Sequence, residues 1–226
     1  MNIKHPLVKG KVKEIRPFIY CVEVDDDYDR AMLFCRYQEF YESQYKKFRG
    51  KPFTWMEYMR YYKIAWKKRV FTYPDDWSGY NIPSNVMDKA NNIFYKDTEY
   101  DVIMNDIYFY CSIDSQNKNN GTRCDWYLIG ASSKDKGTMN HEIAHGLYFT
   151  NKDYKKKVNE LIGNIKPTHY DKLKKKLIKM GYVNDKKIID DEIQAFMSTG
   201  LYNGLNTKEL KVYEKEFKSN FKKLIK

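Results

Sequence analysis

With 226 residues, the chain is long enough to bury a substantial core, either as one domain or as one domain with an added helical lobe. Its aromatic content, 21 tyrosines among it, excludes intrinsic disorder, and no apolar stretch approaches the ~20 residues that span a bilayer. The formal net charge of +11 admits nucleic acid, an anionic surface or an acidic substrate as partner. The lysines concentrate after residue 150, however, as in Lys155-Lys156-Lys157, Lys174-Lys175-Lys176 and Lys222-Lys223, and recur at helical spacing among apolar residues. That pattern favours a solvated helix face over a nucleic-acid groove, and no recognition-helix, finger or RNP pattern accompanies it.

In chain order, residues 7–24 alternate loosely and end in a strand over Phe18–Val24. The N-terminal Met1–Phe18 lacks the continuous apolar region of a secretory signal, so a soluble, cytoplasmic protein is expected. Asp25-Asp26-Asp27 then supplies a helix start, acidic where the positive helix terminus favours it, and the helix is predicted to run to about Phe48. A second helix begins at Thr54, with Glu57 at capping-box spacing and an amphipathic stripe of Trp55, Tyr58, Met59, Tyr62, Ala65 and Trp66. The turn-rich stretch from Pro74 to Pro83 divides an N-terminal strand and helical lobe, residues 1–80, from the remainder, 81–226.

A short helix over Ser84–Lys96 is followed by two strand candidates, Tyr100–Ile113 and Asp125–Ala131, joined into a hairpin by the polar loop Asp114–Gly121. Cys111 and Cys124 could meet across that hairpin, but the four cysteines, Cys21 and Cys35 with them, have no CxxC spacing and are expected to be free thiols in a reducing compartment. From Gly137 onward the pattern is helical, over about 138–149, 151–163, 169–180, 187–203 and 207–225, with Gly163, Gly181 and Gly204 where C-terminal caps belong. The expected fold class is α+β: an α-rich lobe, a small antiparallel sheet, then helices.

The chemistry concentrates in His141-Glu142-Ile143-Ala144-His145, an HExxH pattern on a predicted helix. Residues four apart share a helix face, so His141 and His145 can aim both imidazoles at one point, with Glu142 beside them. Two neutral imidazoles suit zinc, and an adjacent carboxylate suits a general base. Ile143 and Leu147 would pack the opposite face into the core. The chain has only four histidines, and two fall in this pattern.

Catalytic zinc usually takes three protein ligands and one water. A third histidine at HExxHxxGxxH spacing is missing, since Tyr148 and Asn151 occupy those places, which excludes the metzincin pattern. The remaining candidates are Glu160, His169, Asp190, Asp191 and Glu192. Helical geometry favours Glu192, which falls between Phe196 and Ile189 on one side and Ile188 and Ala195 on the other, where an unpaired carboxylate would be costly. Asp191 projects with Gln194 and Ser198 on the polar face, and Asp190 lies at the stripe edge. Glu160, in a lysine-rich helix, and His169, at a helix start, stay open as alternatives.

HExxH followed by a distant Asp191-Glu192-Ile193-Gln194-Ala195 resembles the gluzincin group of zinc metallopeptidases, over about residues 100–203. The resemblance implies a zincin-like domain in which an edge strand just before the active helix aligns an extended peptide antiparallel, and Asp125–Ala131 is in the corresponding place. Many gluzincins carry an Asp four residues after the ligand Glu; here that residue is Phe196, so another group must orient His141 or His145. The implied activity is zinc-dependent hydrolysis of a protein or peptide substrate, with Glu142 as general base and Tyr182, Tyr202 or His169 as candidate oxyanion donor. A non-catalytic zinc-binding protein and a nucleic-acid-associated basic protein on the same scaffold are the competing expectations. Richness in Lys, Asn, Tyr and Ile fits an AT-rich genome such as those of some viruses and phages.

Overall fold

The computed structural model describes residues 1–201 and 204–225. Its centre is a five-stranded mixed sheet in the order β1-β2-β3-β5-β4, formed by β1 (Asn2–Lys4), β2 (Lys9–Arg16), β3 (Ile19–Val24), β4 (Gly79–Pro83) and β5 (Tyr127–Ala131). The β1–β2, β2–β3 and β4–β5 pairs are antiparallel, while β3 and β5 run parallel, with Tyr20 opposite Leu128. The fold is α+β, but the expected purely antiparallel sheet is corrected to a mixed one. Strands from either side of residue 80 pair in this one sheet.

Strand alternation divides the interior into two cores. In β3, Tyr20 and Val22 point to one face, and Ile19 and Cys21 to the other. The first face is covered by α1 (Asp27–Glu42), α2 (Trp55–Ala65), α4 (Ser84–Ile93) and α5 (Glu99–Lys118), with the one-turn α3 (Tyr73–Asp76) at its margin. The second is covered by α6 (Lys136–Thr150), α7 (Lys152–Gly163), α8 (Pro167–Lys179), α9 (Lys186–Thr199) and α10 (Lys208–Ile225). The first core is dense in aromatic rings, such as the edge-to-face pair Phe48–Tyr58 at 5.1 Å. A buried ion pair, Arg36 to Asp101 at 2.6 Å, ties α1 to α5.

Local signals set several boundaries. Asp26 caps α1 by accepting from Tyr28 N and Asp29 N, and the helix ends at Glu42 instead of near Phe48. Thr54 caps α2 through a reciprocal box with Glu57. Thr54→Ala removes one half of that box and is expected to cost about 1 kcal/mol, lowering the thermal midpoint by about 2–4 °C in a calorimetric scan. Trp55, Tyr58 and Tyr62 are buried as the α2 stripe predicts, whereas Trp66 is exposed.

The largest departure is α5. Tyr100–Ile113, expected as a strand, lies within a helix whose buried residues Ile103, Met104, Ile107, Cys111 and Ser115 recur every three or four positions. Its start is encoded in Thr98 and Asp101: the Asp101 Oδ2 accepts from Thr98 N at 3.0 Å, satisfying a donor at the helix entry. The expected hairpin is therefore replaced by a helix, a short connector and β5. Cys111 and Cys124 do not pair across it, and all four cysteines are free. The turn-rich stretch after Tyr73 holds α3 and β4, the sheet's edge strand.

In the lysine-rich C-terminal half, Leu173 and Leu177 of α8 are buried while Lys172, Lys175 and Lys179 face solvent. Among the described residues, no helix is long and apolar enough to cross a membrane.

Candidate metal centre and its cleft

Helix α6 begins at Asp135, whose side chain accepts from Thr138 N at 3.0 Å. It lies against the second face of the sheet, so closely that a Cβ on Gly146 would stand 2.8 Å from Ile19 Cδ1. Ile143 and Leu147 enter the second core, which turns His141 and His145 toward α9. Their Nε2 atoms stand 3.2 Å apart. Glu192 of α9 completes the group, with carboxylate oxygens 3.5 Å from His141 Nε2 and 3.6 Å from His145 Nε2. One ligand atom from each of the three residues lies within 4.8 Å of the others, and all three side chains are buried.

The surroundings orient this group. His145 Nδ1 donates to Asp191 Oδ1 at 2.8 Å, which leaves its Nε2 directed inward. Gln194 Nε2 donates to the same oxygen at 2.9 Å, and the Tyr154 hydroxyl of α7 donates to Gln194 Oε1 at 3.0 Å. The polar face of α9 expected to hold Asp191, Gln194 and Ser198 thus packs on α7, with Gln194 and Ser198 buried. Asp191 supplies the orientation that Phe196 cannot. Phe196 instead packs its ring 4.7 Å from that of His141, centroid to centroid.

Glu142 is held from the other side by β4. Asn81 Nδ2 donates to Glu142 Oε2 at 2.9 Å, and Asn81 Oδ1 accepts from the Tyr127 hydroxyl at 2.6 Å. Alternation along β4 aims Gly79 and Asn81 at α6 while Tyr80 and Ile82 enter the first core. Gly79 lies so near Glu142 that a Cβ would collide with its carboxylate. The Asn81 N–H, on the outer edge of the strand, donates to Gln38 Oε1 at 3.1 Å.

The two buried carboxylates are driven apart in acidity. Burial raises the Glu142 pKa, and His141, His145 and Asn81 only partly offset it. Burial acts the same way on Glu192, but there His145, His141 and a hydrogen bond from Tyr182 outweigh it, and the pKa is lowered. The two carboxylates, both buried, thus differ in the ease with which each takes up a proton.

The residues nominated from sequence are therefore placed as follows. His141, His145 and Glu192 converge, with Glu142 alongside, and Tyr182 contacts Glu192. Glu160 is exposed on α7 beside Lys157. His169 bonds the Tyr213 hydroxyl at 2.9 Å, and Asp190 accepts from the Tyr170 hydroxyl at 2.7 Å. Tyr202 lies outside the described residues. The strand beside the active helix that is expected to be an edge, Asp125–Ala131, is interior as β5; the edge is β4. Sequence reasoning misses Asn81, Gln38 and Tyr127, none of which has a local motif; it places Asp191 on the polar face of α9 but misses its bond to His145, for which its position directly before Glu192 is the available signal.

The group opens on a cleft of about 90 Å³, walled by α1, α2 and α3, by β4, and by Gly181-Tyr182-Val183 between α8 and α9. Neither protein-family models, curated proteins nor solved structures match this chain.

Proposed function

We propose that the protein is a zinc-dependent metallopeptidase that cleaves peptide bonds in this cleft. The observation that carries the reading is the convergence of His141 Nε2, His145 Nε2 and a Glu192 oxygen, with Glu142 next to them but not one of the converging set. The residues fit a zinc ion on two grounds. Two imidazole nitrogens and a carboxylate are a donor set zinc takes in catalytic sites. Glu192 Oε2 is also buried without a hydrogen-bond partner among the described residues, which is costly unless a cation serves it.

His141, His145 and Glu192 would hold the metal. When bound, zinc would supply Lewis-acid polarisation of a carbonyl and acidification of a water. Glu142 accepts the proton of the attacking water at its carboxylate and delivers it to the departing amine, and burial, which raises its pKa, favours its holding that proton between the two transfers. Asn81 fixes the Glu142 carboxylate through one oxygen, leaving the other for the water. Asp191 holds His145 in the tautomer that presents Nε2 as a lone-pair donor. Tyr182, at the cleft, donates its hydroxyl to Glu192 and would steady that carboxylate as a ligand.

The deciding experiment is the zinc stoichiometry of untagged protein purified without chelators, followed by cleavage of a peptide mixture. One zinc per chain and metal-dependent cleavage are expected; no zinc retained or taken up on titration would overturn the reading. Asp191→Asn is expected to lower zinc affinity by about 10–100-fold, since the amide cannot stabilise the same His145 tautomer as strongly. Competition with a chromophoric chelator measures it, and unchanged affinity would remove Asp191 from the site.

A further inference from the structure

The last turn of α1 carries Glu39 and Glu42, three residues apart on one face, and both line the cleft that holds His141, Glu142 and His145. A helix C-terminus favours cations, and this one has no basic residue in its last turn. Glu39 is hydrogen-bonded by neutral hydroxyls, those of Ser43, Tyr58 and Tyr73, and burial pushes its pKa up to about 7. Glu42 accepts from the Gln38 amide. Among the described residues no lysine or arginine lines the cleft, although the chain contains 41 of them. Glu142 and Glu192 already match the charge of a zinc dication, so it would take a further cation beside Glu39 and Glu42 to hold those buried carboxyls ionised.

The other walls suit a cation. Tyr62, Trp66 and Trp77 line the same cleft, with the Tyr62 and Trp66 rings 5.8 Å apart. Trp66 and Trp77 are exposed at its mouth, where their faces can receive an alkylammonium or guanidinium group. Glu192, whose buried Oε2 serves the metal site, lines the same cleft.

We infer that the cleft selects peptides carrying a lysine or arginine side chain next to the reacting bond, the cationic head lying against the C-terminal turn of α1 at Glu39 and Glu42 and the alkyl stem between the aromatic walls. The inference rests on the peptidase reading for its reaction, but its recognition is tested without turnover. Zinc-free protein is titrated with three pentapeptides while tryptophan fluorescence, to which Trp66 and Trp77 contribute from the cleft, is followed. These are N-acetylated, C-amidated Ala-Ala-Lys-Ala-Ala, its norleucine counterpart, and the norleucine peptide with a free N-terminal amine.

The blocked lysine peptide is expected to bind about tenfold or more tighter than the blocked norleucine peptide. Glu42→Gln, checked for an unchanged thermal midpoint, should bring it down toward the norleucine value. Equal affinity for the two blocked peptides in the wild-type protein would overturn the inference, with no variant needed. So would a free-amine norleucine peptide that binds as tightly as the lysine peptide, because the cation recognised would then be a chain terminus. Cation-selective binding with no cleavage by zinc-loaded protein would support the pocket and retire the peptidase reading. Cleavage of a blocked peptide mixture without enrichment of Lys or Arg beside the cut would do the reverse.

Discussion

Glu142→Gln is expected to lower the rate of peptide hydrolysis by about 10²–10⁴-fold while leaving zinc content unchanged. Glutamine has the shape of glutamate, and its carbonyl oxygen can still accept from Asn81 Nδ2, so the side chain should stay where β4 holds it. What it cannot do is take a proton from water. The stability of the folded chain should not fall, because the substitution removes a buried charge that lacks a cationic partner of its own. The measurements are zinc per chain, thermal midpoint and turnover on one preparation. Turnover near the wild-type value, with zinc in place, would sink the assigned role of Glu142. A variant that loses zinc or unfolds would show instead that the carboxylate supports the centre.

Glu192→Ala is expected to weaken zinc binding beyond the 10–100-fold attributed to outer-sphere partners such as Asp191. Glu160→Ala should leave it unchanged. Glu192 is buried between the two imidazoles, and its removal takes away both a proposed ligand and the only anion that meets both Nε2 atoms among the described residues. Glu160 is half-exposed, and its partner, Lys157, is equally open to solvent, a pair of little energetic weight. Zinc competition titrations on the two variants give the ranking. The opposite order would move the third ligand off α9 and remove the main geometric support for the metal site.

These two carboxylates also show how far local patterns reach. Glu142 and the two histidines are set by helix period alone, since residues one and four apart have fixed angular relations in any α-helix. Glu192 is legible because flanking apolar residues on both sides imply burial of its carboxylate. The α2 start at Thr54 is equally local, being a reciprocal bond between residues three apart. The same kind of signal, at Thr98 and Asp101, marks α5, yet the apolar and aromatic run after it reads as a strand. The helix prevails because Ile103, Met104, Ile107 and Cys111 make a continuous stripe for the first core.

The sequence by itself determined the α+β class, the HExxH helix with its two histidines and neighbouring glutamate, the candidate carboxylate on a later helix, and the solvated lysine faces. Each follows from contacts within a few residues or from one element's periodicity. Only the tertiary structure decided that β3 and β5 pair in parallel, that the five-residue strand β4 is the edge beside Glu142, and that Asp191 orients His145. It alone brings the C-terminal turn of α1 into the same cleft. Those relations join residues 46 to 108 positions apart, and the physics that sets them is the packing of whole elements on a shared sheet, which no local pattern encodes.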